Sequence, residues 1–137
     1  MFSQLKVSSI EAMSLVDDVL KQVARLRKDV AIAVCGPEGE LIAFVRMDGA
    51  SPAAARIARN KAYTAAVDRK DTRLMGEFMT GKNRPQAYWG DGQITGFGGG
   101  VTIRQEGTVV GGIGVSGLSE EEDEAIANGA IKAVFGK

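Results

Sequence analysis

An α/β (α+β) fold with one central antiparallel sheet, built from two hairpins and covered by helices, is what this 137-residue sequence predicts. Two observations carry that reading. Two pairs of strand-rich runs are each joined by a short Gly-containing turn: VAIAVC to ELIAFVRM through GPEG, and VTIRQ to TVVGGIGV through EG. Around them lie stretches whose apolar residues recur at helical spacing, two of them opened by the S-x-x-E pattern of a capping box.

Taken in order, Ser8 with Glu11 opens a helix over residues 9 to 27, with Ile10, Met13, Val16, Leu20 and Val23 as its apolar stripe. The first hairpin follows, and its nearly continuous apolar runs predict strands covered on both faces. Ser51-Pro52 supplies a cap and a proline at the first helical position for a second helix, 52 to 69. Its many alanines let it lie close to the sheet, with Arg56, Arg59 and Arg69 outward. A short helix is expected near 72 to 79. Residues 81 to 100, GKNRPQAYWGDGQITGFGGG, are irregular and aromatic, with room for one further strand. The second hairpin and a last helix, 119 to 135, complete the order α-ββ-αα-(β)ββ-α. Ser119 with Glu122 caps that helix, and Ala125, Ile126, Ala130, Ile131 and Val134 form its stripe.

Composition removes several function classes. Lys plus Arg and Asp plus Glu are 17 each, so no net charge attracts nucleic acid or an anionic membrane surface. No apolar run approaches the length of a membrane span, and MFSQLKVSSIEAM lacks the pattern of a signal peptide, so the chain reads as cytoplasmic. Cys35 is the only cysteine, which leaves no intrachain disulfide and no Cys-rich metal cluster. The absence of histidine removes His-based general bases, His-containing zinc sites and a proximal-His haem ligand together. No metal site is expected.

GIGVSG, Gly112 to Gly117, has the spacing of a dinucleotide-binding loop. Its context argues against that use. The preceding strand is the second arm of a hairpin, and the helix that should meet phosphates begins with Glu120, Glu121, Glu122, Asp123 and Glu124, which repel them. The glycines are better explained by close approach of a helix or a neighbouring subunit, with Gly117 allowing the turn into the last helix.

FVRMDGA, ARNKAYTAA, FGGGVTI, GTVVGGIGVSG and the acidic EEEDEAIA, in that order from about Ala31 to Ala133, resemble the GlcG/HbpS-like family, which includes the C-terminal domain of PduO-type proteins. The resemblance implies a profilin-like α/β fold, homo-oligomers and, for some members, binding of haem or another tetrapyrrole. Thr102 departs from the family's GG-V-P-I pattern, and a chain without histidine lacks the usual haem ligand. Residues carried over by the resemblance are Arg46 and Asp48, Lys61 and Thr64, Gly99, Gly100 and Gly117, and Asp123. Each has a structural alternative: Arg46 and Asp48 pairing at a strand end, Thr64 back-bonding within its helix, Asp123 capping or meeting the dipole. The Lys61 ammonium either snorkels outward or stands in a pocket where it binds a carboxylate.

Three functions follow as expectations. The first is a small-molecule-binding domain for a small organic acid or, less readily, haem, with Trp89 and Phe97 in an apolar wall and Arg46 or Lys61 meeting the acid. The second is a small tautomerase- or lyase-type enzyme in which Lys61 or Asp123 moves a proton. The third is an accessory structural oligomer.

Overall fold

The computed structural model describes residues 1–136. Four helices, α1 (Ser9–Leu26), α2 (Pro52–Asp68), α3 (Thr72–Gly81) and α4 (Glu120–Phe135), surround four strands, β1 (Ala31–Cys35), β2 (Leu41–Arg46), β3 (Gly100–Gln105) and β4 (Thr108–Ser116). The strands form one antiparallel sheet in the order β2-β1-β4-β3. Both hairpins are present, and they meet through β1 and β4, where Ala31 faces Ser116 and Cys35 faces Gly112.

Capping sets the helix starts. Ser8 Oγ accepts the Glu11 N–H at 3.1 Å while the Glu11 carboxylate accepts the Ser8 N–H at 2.8 Å, and Ser119 with Glu122 repeats the arrangement at α4. Each such cap is worth about 0.5–2 kcal/mol. The buried face of α1 differs from the predicted stripe. Ala12, Leu15, Val16, Val19 and Val23 are buried, whereas Ile10 and Met13 are 76% and 65% exposed. Two overlapping stripes satisfy helical spacing in this segment, and packing against α4 and the β1–β2 hairpin selects the one rich in small and β-branched residues.

The sheet separates two layers. On one face α1 and α4 pack on Ile32, Val34, Ile113 and Val115; on the other, α2 packs on Ala31, Ala33 and Cys35. Here the glycines of GIGVSG acquire their reason. A Cβ at Gly112 would stand 2.5 Å from the Ala62 carbonyl oxygen, and one at Gly114 would run into that of Ala58. The alanines of α2 and the glycines of β4 bring helix and strand into backbone contact, where dispersion compensates for the small area each alanine buries. Gly117, at φ +139, makes the turn into α4.

The predicted coverage of both strands in the first hairpin fails for β2. β1 is wholly buried, but β2 is half-exposed along its length, because it is an edge strand that neither α1 nor α2 covers completely. The other edge, β3, is protected: Thr72 Oγ1 accepts the Gly100 N–H at 2.8 Å and Asp71 Oδ1 accepts the Thr102 N–H at 3.0 Å. Between α3 and β3 no further strand forms among the described residues; a single 3-10 turn, Gln86–Trp89, stands there. Side chains of α2 hold this segment in place of strand pairing. Thr64 Oγ1 donates to the Gln93 carbonyl and accepts the Thr95 N–H, so it ties the loop rather than back-bonding within its helix. The Tyr63 hydroxyl donates to Asp91 at 2.5 Å.

Candidate functional site

Helical spacing puts Lys61 on the sheet side of α2 with Ala58, Ala62 and Ala65. Its Nζ donates to the Val115 carbonyl at 2.8 Å and to Asp123 Oδ2 at 3.1 Å, while Asp123 Oδ1 accepts the Leu118 N–H at 3.1 Å. The two residues are 2% and 1% exposed, so Lys61 neither snorkels outward nor stands in an open pocket. Gly99 makes room for them. At φ +119, a Cβ there would lie 2.7 Å from Lys61 Nζ and 2.8 Å from Asp123 Cβ; one at Gly100 would meet the Lys61 carbonyl. Burial pushes the Lys61 ammonium below and the Asp123 carboxyl above their ordinary values, and their mutual attraction opposes both shifts.

The remaining predicted residues are dispersed. Arg46 Nε donates to the Ala50 carbonyl at 2.9 Å, and Asp48 is exposed in the following turn without pairing to it. Trp89 packs edge-on against Phe78, with ring centroids 6.0 Å apart. Phe97 is exposed in a different place, an open groove of about 770 Å³ along α3 lined also by Arg73, Glu77, Met79, Thr80 and Glu120. The two aromatics therefore share no wall. Arg73 is held by Glu77 at 3.0 Å and Glu124 at 3.3 Å, which leaves the groove with surplus negative charge.

A smaller pocket of about 330 Å³ lies between α2 and the first hairpin. Arg56, Arg59, Asn60 and Tyr63, at i, i+3, i+4 and i+7, line it from one face of α2, and Leu41 and Gln93 complete the rim. The Arg59 guanidinium lies 5.4 Å from the centre of the Phe44 ring. Among the described residues neither Arg56 nor Arg59 has a carboxylate partner, and the Asn60 side chain makes no hydrogen bond. Cys35 lies at its base, 2% exposed, its thiol pushed up to about 12 by burial and then by the charge of Glu40. The sequence gives these arginines only as outward residues; the signal that could have found the pocket is the four-residue spacing set opposite the Phe44 strand.

The family model described as "Haem degrading protein HbpS-like" matches residues 7–132. The chain belongs to the HbpS-like family. It is 38% identical over 87 residues to Protein GlcG of Escherichia coli (strain K12), covering 64% of this chain and 63% of GlcG. It is 32% identical to the corrinoid adenosyltransferase PduO of Citrobacter freundii, covering 90% of this chain and 40% of PduO. The chain thus spans less than two thirds of either relative. A crystal structure of a PduOC:haem complex superposes with a TM-score of 0.87 at 25% identity, covering 94% of this chain and 95% of that one. This HbpS-like chain shares the family fold, and among its described residues no helix is long and apolar enough to cross a membrane.

Proposed function

We propose that this HbpS-like chain is a one-domain, cytoplasmic binding protein for a small organic acid, held in the arginine pocket of α2. The observation that carries it is the pair of guanidiniums, Arg56 and Arg59, on one helical face without carboxylate partners in a pocket of about 330 Å³. That volume lies at the small end of ligand sites. A guanidinium offers a planar fork of donors that matches a carboxylate, and stacking on Phe44 orients Arg59 before a ligand arrives. The Asn60 amide and Gln93 add hydrogen-bonding groups at the rim. Lys61, which the sequence offers as the acid-binding cation, is already satisfied by Asp123 and Val115; its reading here is scaffold. The same burial leaves Lys61 and Asp123 no route to a substrate proton, which favours binding over tautomerase or lyase chemistry.

Haem is the second reading, favoured by the complex of the related PduO domain. The residues of this chain fit it poorly. Glu77 and Glu120 line the α3 groove and oppose propionates, and Met79 is the one soft donor on its wall. Elsewhere, Cys35 is a buried, protonated thiol and Tyr63 is engaged by Asp91.

Calorimetric titration with short keto, hydroxy and dicarboxylic acids tests the proposal. The parent binds one class, Arg56→Met with Arg59→Met lowers that affinity at least tenfold, equivalent to about 1.4 kcal/mol, and haem titration yields only a weak Soret change. Acid binding untouched by the double substitution removes the arginine pocket from the account. We further infer that the chain is a homo-oligomer, with no nucleic acid or membrane partner.

A further inference from the structure

Among the side chains that line the arginine pocket, Arg56 and Arg59 only donate hydrogen bonds, and the amides of Asn60 and Gln93 can turn to donate or to accept. None of these four separates a hydroxyl from a carbonyl on a bound acid. Tyr63, in the same lining, is different. Its hydroxyl donates to Asp91 Oδ2 at 2.5 Å, the length of a charge-assisted bond. With its single proton committed there, the phenol oxygen offers a ligand lone pairs only. We propose that Asp91, acting through Tyr63, makes this pocket selective for acids that bear a hydroxyl group over the keto acids of the same skeleton. The proposal rests on the acid-binding reading above and names the class of acid.

Contacts on both sides keep the proton where it is. Asp91 is fixed within its own loop: Oδ1 accepts the Gln93 N–H at 3.0 Å, and its carbonyl accepts from the Gln86 side chain and from the Ile94 N–H. Thr64 holds the Gln93 carbonyl and the Thr95 N–H of the same segment. From the other side the β1–β2 turn lies against the Tyr63 ring, close enough that a Cβ at Gly39, where φ is +85, would stand 3.1 Å from it. The hydrogen bond itself holds the phenol above and the Asp91 carboxyl below their ordinary values, so near neutral pH the one keeps its proton and the other its charge.

That charge also decides which way round a ligand sits. A carboxylate is disfavoured beside Tyr63, with Asp91 behind it, and favoured beside Arg56 and Arg59, so the hydroxyl falls to Tyr63. Arg59 and Tyr63 stand at i and i+4 on α2, where Cβ atoms are about 5–6 Å apart, and one small molecule spans both roles. A hydroxy acid in this pose donates to the phenol oxygen. A keto acid sets its carbonyl oxygen against that oxygen, two acceptors with no proton between them. Asp91 is thus a positioning residue: it acts on the ligand through the Tyr63 hydroxyl.

Asp91→Asn tests this because the two carboxylate oxygens have different partners. The new amide keeps its oxygen toward the Gln93 N–H, which sets its NH2 group against the Tyr63 oxygen and turns the phenol proton toward the pocket. Calorimetric titration with two matched pairs, lactate with pyruvate and 2-hydroxyglutarate with 2-oxoglutarate, reads the ratio of affinities within a pair. The parent should bind the hydroxy acid about tenfold more tightly than its keto partner, Asp91→Asn should reverse the order, and Tyr63→Phe should bring the ratio to about one. Circular dichroism checks that the variants fold; if Asp91→Asn does not, Tyr63→Phe carries the test. A parent ratio near one overturns the proposal, and so does a folded Asp91→Asn that weakens both members alike, as a purely structural residue would. Both of those outcomes leave the acid site standing. A parent that binds neither pair overturns the selectivity, and one that binds no acid of the wider panel overturns the acid site with it.

Discussion

Lys61 and Asp123 are 62 residues apart in sequence and 3.1 Å apart in space, and theirs is the ion pair, among the described residues, in which both side chains are buried. Removing one partner leaves the other buried without its counter-charge. Lys61→Met should therefore cost about 3–5 kcal/mol of unfolding free energy, and Asp123→Asn a comparable amount. A Lys61→Met, Asp123→Leu double variant should lose less than the sum of its parts. Urea midpoints at unchanged slope measure this. A loss below about 1 kcal/mol for Lys61→Met would show that water reaches the site.

Cys35 should be inert while the protein is folded. With the thiol raised from 9.0 to about 12 and 2% of the residue exposed, aromatic disulfide reagents should react only after denaturant is added. The folded state favours the neutral thiol, so its contribution to stability is fully present below pH 9.0 and is lost as pH rises through about 12. Rapid labelling of the native protein near neutral pH would contradict this.

Thr64 ties an irregular loop to α2 with one hydroxyl. Thr64→Val keeps the shape and strands the Gln93 carbonyl and the Thr95 N–H, at a cost of about 1–3 kcal/mol. Amide exchange should accelerate in residues 90–97 while β1 and β4 keep their protection. Uniform acceleration throughout the chain would mean that the loop is not a separate unit.

Gly112→Ala forces α2 away from β4 and should destabilise by about 1–3 kcal/mol. Gly81→Ala is the control, since a Cβ there meets nothing within 4 Å. It should be neutral or stabilising by up to about 1 kcal/mol. Equal melting temperatures for the two variants would sink the close-contact account of β4.

Much of this architecture is readable from local chemistry. The capping boxes at Ser8 and Ser119, Pro52 after Ser51, and the two Gly-containing turns each act within a few residues of chain, and the corresponding elements form where those residues stand. Lateral position is not local. Nothing in ELIAFVRM distinguishes an edge strand from a central one, and the choice between the Ile10/Met13 stripe and the Ala12/Leu15 stripe is made by the β1–β2 hairpin together with α4, the latter more than 90 residues away. The site divides in the same way. Lys61, Asp123 and Gly99 stand out by resemblance and do meet, but the arginine pocket depends on which strand the outer face of α2 lies beside, and only tertiary packing decides that.

The Lys61 ammonium also orders events in time. Its two acceptors, Val115 and Asp123, are 54 and 62 residues downstream, so on the ribosome α2 emerges well before either. Until then the lysine stays in water, and α2 cannot settle on a sheet that lacks β4, its principal support. Closing so long a loop has an entropic cost that the pair recovers only when strand and last helix arrive together. A chain truncated before Asp123 would leave the Lys61 ammonium without its carboxylate, and such a chain should be more open to proteases than the full one.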